Sequence, residues 1–306
     1  MSKKSKSTVK KIAIFAMTSG IALFSMSPAF AAGTSDYGIW AEPSFDAGTS
    51  TYSGGITFVG TTIPAATYSS VFSAAGDGNR IEVVDSAEEW ISEGTPFGAV
   101  FGASGASTTN NFLKLGVART DAPYITSTTT ITFTSPVPAD SLGIAIGDVD
   151  IDQVTISAKT AADVALTGDE LVGSADPVGF NLCDTDVNKP TICDDVTDPT
   201  DVPVVTKNAN DVVLRNSDVG EDVGVSAWLK PSAELSTLTI VHSGAGATST
   251  VRVWLAGPMV EGDSNSGGTD ELADTGASDS NLLPFAIALT LFGALSIAYA
   301  RRLRRD

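Results

Sequence analysis

Hydrophobic and polar residues alternate along much of the middle of the chain, and this pattern predicts β-strands. In TTITFTS (129–135), Ile131 and Phe133 point to one side and the intervening threonines point to the other. A period of two residues is typical of a half-buried strand. Similar segments recur at 55–59, 80–84, 112–118, 142–146, 153–158, 211–215, 225–229, 236–241 and 249–256. The chain is therefore predicted to be an all-β protein.

Turn-forming residues separate many of these segments, as in DGN, SPVP, KPS and SGAG. Such short, turn-rich connections favour antiparallel strands. We predict one antiparallel β-sandwich, jelly-roll-like, over residues 32–260, and two smaller sandwiches that divide near Asp121 are the alternative. Short helices are predicted at 85–94 and 166–173.

The stretch LGIAIGDVDIDQVTIS interrupts the alternating pattern with three aspartates. Asp148, Asp150 and Asp152 have the same parity as the apolar residues of the flanking segments 142–146 and 153–158. One continuous strand would therefore bury three carboxylates in the core, which is costly unless each is paired. The sequence thus predicts that the strand breaks over residues 147–152, where Gly147 allows the chain to turn.

This loop concentrates negative charge, and carboxylate oxygens are the ligands that calcium prefers. One interpretation is a calcium site that uses Asp148, Asp150 and Asp152. It is not an EF-hand, because the twelfth position of such a loop would be Lys159 instead of a bidentate glutamate. The other interpretation is an acidic, solvated loop on an acidic protein.

The charge of the chain excludes one class of partner. Between residues 32 and 275 of the 306-residue chain there are nine Lys and Arg against 34 Asp and Glu, which gives this region a net charge of about −25. Such a surface repels polyanions and favours cations and solubility. Nucleic acid is therefore not expected as a partner.

Cys183 and Cys193 are the two cysteines of the chain, and His242 is its one histidine. A metal site would need more ligands of the same kind, and a catalytic thiol would need a histidine close by. In an exported chain the two cysteines are therefore expected to form a disulfide.

Catalytic candidates are few. Glu88 or Glu89 with a distant aspartate could serve as the carboxyl pair of a glycosidase. His242 lies at a predicted strand end, and no G-x-S-x-G elbow accompanies it. The tryptophans are candidate stacking faces for sugars, although a tryptophan on a strand is more often packed in the core. These residues are Trp40, Trp90, Trp228 and Trp254. Trp254 is expected to be partly exposed.

Both ends of the chain carry targeting features. Five lysines precede the apolar run IAIFAMTSGIALFSM, and Ala29 and Ala31 flank Phe30 in an A-x-A cleavage pattern, so residues 1–31 are predicted to be a signal peptide. At the other end come a Gly- and Ser-rich linker (261–271), the pentapeptide LADTG (272–276), an uncharged apolar segment (282–300) long enough to span a bilayer, and the basic tail RRLRRD (301–306).

This order of pentapeptide, apolar segment and basic tail resembles the sorting signal of sortase-anchored surface proteins of high-GC Gram-positive bacteria. The resemblance implies that a sortase cysteine attacks the Thr275–Gly276 bond and transfers the threonine carboxyl to a peptidoglycan amine. The motif is an LAxTG variant of LPxTG and is similar to the type that class E sortases recognise. Its residues are Leu272, Ala273, Asp274, Thr275 and Gly276. A plain stop-transfer helix is the alternative.

The segments IGDVDIDQVTISA and SAWLKPSAELSTLTI are in addition similar to β-sandwich regions of actinobacterial wall-anchored proteins. These features predict an exported protein of the cell wall and cell surface that is transiently inserted in the plasma membrane. Its expected role is structural, adhesive or glycan-binding, with a surface glycan or matrix protein as ligand and no catalytic activity. A surface hydrolase that uses two carboxylates is the competing class.

Overall fold

The computed structural model describes residues 35–258, apart from residues 77, 86–88, 105–110, 119–123, 150–151, 186, 195, 197–198, 216–223 and 245–247. The first eight strands are β1 Ser35–Tyr37, β2 Ile39–Trp40, β3 Ser44–Asp46, β4 Thr51–Thr57, β5 Ala66–Phe72, β6 Arg80–Asp85, β7 Asn111–Ala118 and β8 Thr126–Val137. The others are β9 Gly143–Gly147, β10 Asp152–Lys159, β11 Gly179–Asn181, β12 Val204–Lys207, β13 Val212–Arg215, β14 Val225–Leu229, β15 Leu235–Gly244 and β16 Thr248–Pro258. The helices are α1 Pro96–Phe101 and α2 Gly168–Val172, with a 3₁₀ turn at Thr191–Cys193.

In the described part of the chain these strands form two sheets, and all of their pairs are antiparallel. The first sheet has seven strands in the order β11-β14-β9-β16-β7-β6, and β1 pairs with the far end of β16. The second sheet has nine strands in the order β12-β13-β10-β15-β8-β5-β4-β2, and β3 pairs with β4. The expectation of an all-β antiparallel fold is confirmed.

Both sheets combine strands from either side of residues 119–123. In the second sheet β5 pairs with β8, and in the first sheet β7 pairs with β16. A division into two sandwiches near position 121 would therefore cut both sheets. Apolar residues from the two sheets also belong to one hydrophobic core cluster, which includes Leu113 and Ile144 from the first sheet and Ile131 and Ile156 from the second.

The second sheet has one face in the core and one face in solvent. In β8, Ile131 and Phe133 are buried, whereas Thr132 and Thr134 are exposed, as the alternating sequence predicts. An antiparallel sheet with a solvated face requires this alternation. The outer face of the second sheet therefore carries mainly short polar side chains.

The central strands of the first sheet are covered on both faces. Every residue of β9 and β14 is buried, and α1 places Phe97 and Phe101 against Trp228, with ring centroids 5.8 and 6.3 Å apart. The helix begins at Pro96 because the Thr95 side chain accepts a hydrogen bond from the N–H of Gly98 and proline suits the first helical position. The helix predicted at 85–94 is wrong, since residues 89–95 are not helical.

The helix predicted within 166–173 is confirmed as α2. The Thr167 hydroxyl accepts from the backbone of Glu170, and the Glu170 carboxylate accepts in return from the backbone of Thr167. This capping box satisfies N–H groups that the first helical turn leaves without partners. Hydrogen bonds from the Thr167 backbone, and then from its hydroxyl, hold the pKa of Glu170 below its usual value.

The predicted break in the aspartate-rich stretch is also observed. β9 ends at Gly147, and Asp148 adopts a left-handed conformation with φ of 63°, so the turn is made at the aspartate and not at the glycine. The prediction that Asp152 belongs to an exposed loop is wrong. Asp152 is the first residue of β10 and is buried on the same face as Val154 and Ile156.

Candidate functional site

Asp148 lies against an arginine of the neighbouring strand. Its Oδ2 lies 2.5 Å from Nη1 of Arg252 on β16 and accepts a hydrogen bond from the Thr250 hydroxyl at 3.1 Å. Arg252 also donates from Nη2 to Glu89 Oε1 at 2.8 Å. Burial lowers the pKa of Arg252, but the charges of Asp148 and Glu89 outweigh burial and hold that pKa above its usual value. The guanidinium thus fastens two separate segments onto the outer face of the first sheet.

Asp152 belongs to a different cluster, which lies between the two sheets. Its Oδ1 lies 3.1 Å from Nε2 of His242 on β15, and the same nitrogen lies 2.9 Å from the Ser249 hydroxyl on β16. The side chains of Asp152 and His242 have no solvent exposure, and Ser249 is also buried. The Asp152 carboxylate and the Ser249 hydroxyl lie against the same nitrogen of the His242 ring, whereas in a catalytic triad they bond to opposite nitrogens. This arrangement joins the sheets and does not present a nucleophile to solvent.

The structure does not bring the two described aspartates together. Asp148 binds Arg252 and Asp152 lies in the cluster with Ser249. Arg252 and Ser249 are three positions apart on β16 and therefore lie on opposite faces of that strand. Within the described residues no group of three or more His, Cys, Asp or Glu side chains is placed to hold a metal ion. Asp150 lies outside the described residues, and the calcium hypothesis stays a prediction.

The expected disulfide is confirmed. Cys183 and Cys193 are bonded, with Cα atoms 5.3 Å apart, and both are buried. The loop between them contacts the segment that carries Glu89: the indole N–H of Trp90 donates to the Asn188 carbonyl at 2.9 Å. The disulfide loop therefore supports the chain that reaches Arg252.

The tryptophans are not the exposed aromatic residues of this protein. Trp40, Trp228 and Trp254 are buried, and Trp90 is partly exposed. The expectation that Trp254 is partly exposed is wrong, because the outer face of the first sheet is covered and its ring packs 4.8 Å from that of Phe112.

An exposed aromatic groove lies instead beside the β3–β4 hairpin. This hairpin groove has a volume of about 320 Å³ and is lined by Phe45, Ser50, Tyr52, Phe72, Asn79 and the small residues 74–76. Phe45 is 53% exposed, and its ring lies 4.6 Å from that of its cross-strand partner Tyr52. The groove was not among the sequence predictions, although the two aromatic residues flank the turn-forming segment DAGTST in a way that is typical of a hairpin pair.

A second groove lies on the exposed face of the second sheet. This hydroxyl groove has a volume of about 420 Å³ and is lined chiefly by Ser44, Ser53, Thr67, Ser69, Thr130 and Thr132. The residues pair across three strands: Ser53 faces Ser69, Ser69 faces Thr130, and Thr67 faces Thr132. The pairing arranges the hydroxyls in rows at the spacing of neighbouring strands.

The sorting pentapeptide 272–276, the apolar segment 282–300 and the leader with Ala29 and Ala31 lie outside the described residues. In the part of the chain that the structure describes, no helix is long and apolar enough to cross a membrane.

Comparison with known proteins adds little. No protein-family model matches the chain, and no curated protein matches it. A solved structure that is similar is the enzymatically active domain of tailspike protein 4 from bacteriophage CBA120, with 8% sequence identity and a TM-score of 0.31. The similarity covers 63% of this chain and 19% of that one. A likeness this weak carries no argument about fold or function.

Proposed function

We propose that this protein is an exported surface protein that a sortase, of class E type, attaches covalently to peptidoglycan. The observation that carries the proposal is the order of LADTG, an uncharged segment of bilayer length and a basic tail within residues 272–306. Each part has a physical role, because the segment and tail hold the chain in the membrane while the pentapeptide stays accessible outside. The protein is the substrate of this reaction and supplies no catalytic group to it.

The described domain supports an extracellular location for this protein. Disulfides such as Cys183–Cys193 form and persist in oxidising surroundings outside the cell. The strongly acidic composition between residues 32 and 275 keeps such a domain soluble and apart from nucleic acid.

The domain, a jelly-roll-like sandwich in this proposal, has a structural, adhesive or glycan-binding role. Glu89 and Asp148, two partly exposed carboxylates that share Arg252, are both engaged by its guanidinium. A glycosidase needs one carboxyl group free to donate a proton and another free to act as nucleophile or base. Their engagement supports binding over hydrolysis.

The place of action follows from the linker. From Val260 to Thr275 the chain makes fifteen steps, so even fully extended it reaches at most about 50 Å. A domain attached at Thr275 therefore works within the wall or close to its surface.

The test is the fate of the full chain in a producing Gram-positive host. Thr275→Ala keeps the backbone carbonyl but removes the threonine side chain that the sorting motif requires, so we expect the variant to stay in the membrane fraction while the wild-type protein is released by wall digestion. Thr269→Ala, a threonine of the same linker outside the pentapeptide, should be released like the wild type. Equal release of the wild type and of Thr275→Ala would refute covalent anchoring.

A further inference from the structure

The β3–β4 hairpin has an uncharged groove on each of its faces. Phe45 and Tyr52 line the hairpin groove, and Ser44 and Ser53, their neighbours in the chain, line the hydroxyl groove. Because successive strand residues point to opposite faces, the edge strand β3 separates the two grooves. None of the residues that line either groove carries a charge. This is unusual in a chain with 36 acidic residues.

The hairpin groove leaves aromatic side chains in contact with solvent. Three rings follow one another along it: Phe45 lies 4.6 Å from Tyr52, and Tyr52 lies 5.8 Å from Phe72 in an edge-to-face arrangement. The outermost ring, Phe45, is 53% exposed. A solvent-facing aromatic row in a groove marks a place where a ligand with an apolar face can stack.

The hydroxyl groove has the complementary chemistry. Its serines and threonines form in-register cross-strand pairs, and the hydroxyls of Ser44 and Ser53 lie 3.2 Å apart. Hydroxyl groups both donate and accept hydrogen bonds, so such rows suit a ligand that is itself rich in hydroxyls. An apolar peptide would use the aromatic groove and leave this one without partners.

We infer that the two grooves together bind an uncharged polysaccharide that passes around the edge strand β3. The C–H face of a sugar ring stacks on Phe45 and Tyr52, because those hydrogens carry partial positive charge and the ring face is negative. Hydroxyls of a neighbouring sugar bond to Ser53, Thr67 and Thr132. The charge of about −25 between residues 32 and 275 repels anionic polymers, whereas the uncharged grooves accept a neutral one.

This inference rests on the proposed function, since a domain within about 50 Å of the wall is surrounded by polysaccharide. Its test does not depend on anchoring. Full-length protein in mild detergent is incubated with insoluble cellulose, chitin, starch and β-glucan, and with the polyanion alginate as a gel. We expect retention on at least one neutral polysaccharide and none on alginate.

Two sets of variants locate the site. Phe45→Ala should weaken retention about tenfold, which corresponds to the loss of one stacking contact of about 1.4 kcal/mol. Tyr124→Ala, an aromatic residue of similar exposure (51%) that lines neither groove, should leave retention unchanged. The double change Thr67→Val and Thr132→Val, which removes hydroxyls with little change of shape, should also weaken retention, whereas Thr134→Val on the same exposed face should not.

Thermal melting of each variant separates a lost ligand contact from a lost fold. Full retention by a folded Phe45→Ala variant would overturn the inference, as would failure of all four neutral polysaccharides. Weaker retention by Phe45→Ala combined with unchanged retention by the threonine double variant would show that the polysaccharide contacts the hairpin groove alone, and would overturn the inference that both grooves bind it. Thr275→Ala should bind polysaccharide like the wild type, so failure of anchoring and failure of binding are distinguishable.

Discussion

The buried cluster of Asp152, His242 and Ser249 connects residues that are far apart in the chain. A carboxylate in an apolar core is costly unless polar partners surround it, and here an imidazole lies within hydrogen-bond distance. Gly244 makes room for this contact, because a Cβ at that position would lie 1.8 Å from the Ser249 hydroxyl. Asp152 and Gly244 also face each other across β10 and β15.

Removal of the carboxylate should leave the histidine without this partner. We expect Asp152→Ala to lower the free energy of unfolding by about 1–3 kcal/mol, the usual cost of leaving a buried polar group without a hydrogen-bond partner. The measurement is urea unfolding of residues 32–260. Lys159→Ala, which removes an exposed pair with Asp163, should cost at most about 1 kcal/mol. Similar costs for both variants would show that the cluster contributes little to stability.

At the scale of elements, the disulfide loop and the segment before α1 support each other. Trp90 donates to the Asn188 carbonyl, and Asn188 donates from Nδ2 to Glu93 Oε1 at 2.5 Å. The same segment supplies Glu89 to Arg252. The loop is thus connected to the outer face of the first sheet through side chains almost a hundred positions away in sequence.

Loss of the disulfide should therefore disturb more than its own loop. The double change Cys183→Ser and Cys193→Ser should lower the free energy of unfolding by about 2–3 kcal/mol, as expected for a loop of this length. It should also change the fluorescence of Trp90, the partly exposed tryptophan, because the loop that holds its indole is released. A reducing agent should reproduce both effects in the wild-type protein and have none in the variant. An unchanged emission spectrum would contradict the proposed support.

At the scale of the whole molecule, the two sheets play different parts. The central strands of the first sheet are covered on both faces, whereas the outer face of the second sheet is exposed and polar. Ligand contact is consequently expected on the second sheet and its β3–β4 edge. Asp148 lies at the end of the first sheet, where β9 stops.

The calcium hypothesis is tested by melting of residues 32–260. If Asp150 and its neighbours bind calcium, millimolar CaCl₂ should raise the Tm above that in NaCl of equal ionic strength, because a ligand of the folded state alone stabilises it. The NaCl control is needed because salt by itself screens the repulsion within this acidic domain. Asp150→Asn should abolish the difference, and Asp163→Asn should not. Equal Tm values in the two salts and in EDTA would exclude the site.

The alternation of hydrophobic and polar residues predicted most of the longer strands, but it did not predict the contacts between residues that are distant in the sequence. The alternation in β8 and the break after Gly147 depend on the chain's own neighbours, and both were predicted correctly. The exposure of Trp254 was predicted wrongly, because α1 contacts β9 and β16, and Glu89 of the preceding segment binds Arg252, on a sheet face that strand periodicity alone assigns to solvent.

The sequence by itself determined the positions of most of the longer strands, the alternation of faces in β8, the disulfide and the hypothesis of wall anchoring. These follow from the period of two, from the presence of two cysteines in an exported chain, and from the linear order of the C-terminal segments. The sequence did not predict β5 or the short strands β1, β2, β3, β11 and β12. Only the tertiary structure decided that Asp152 meets His242, ninety positions away, and that Phe45 and Tyr52 form an exposed groove. The physical reason is that burial and pairing depend on which strands become neighbours, and sheet order is set by the packing of the whole chain.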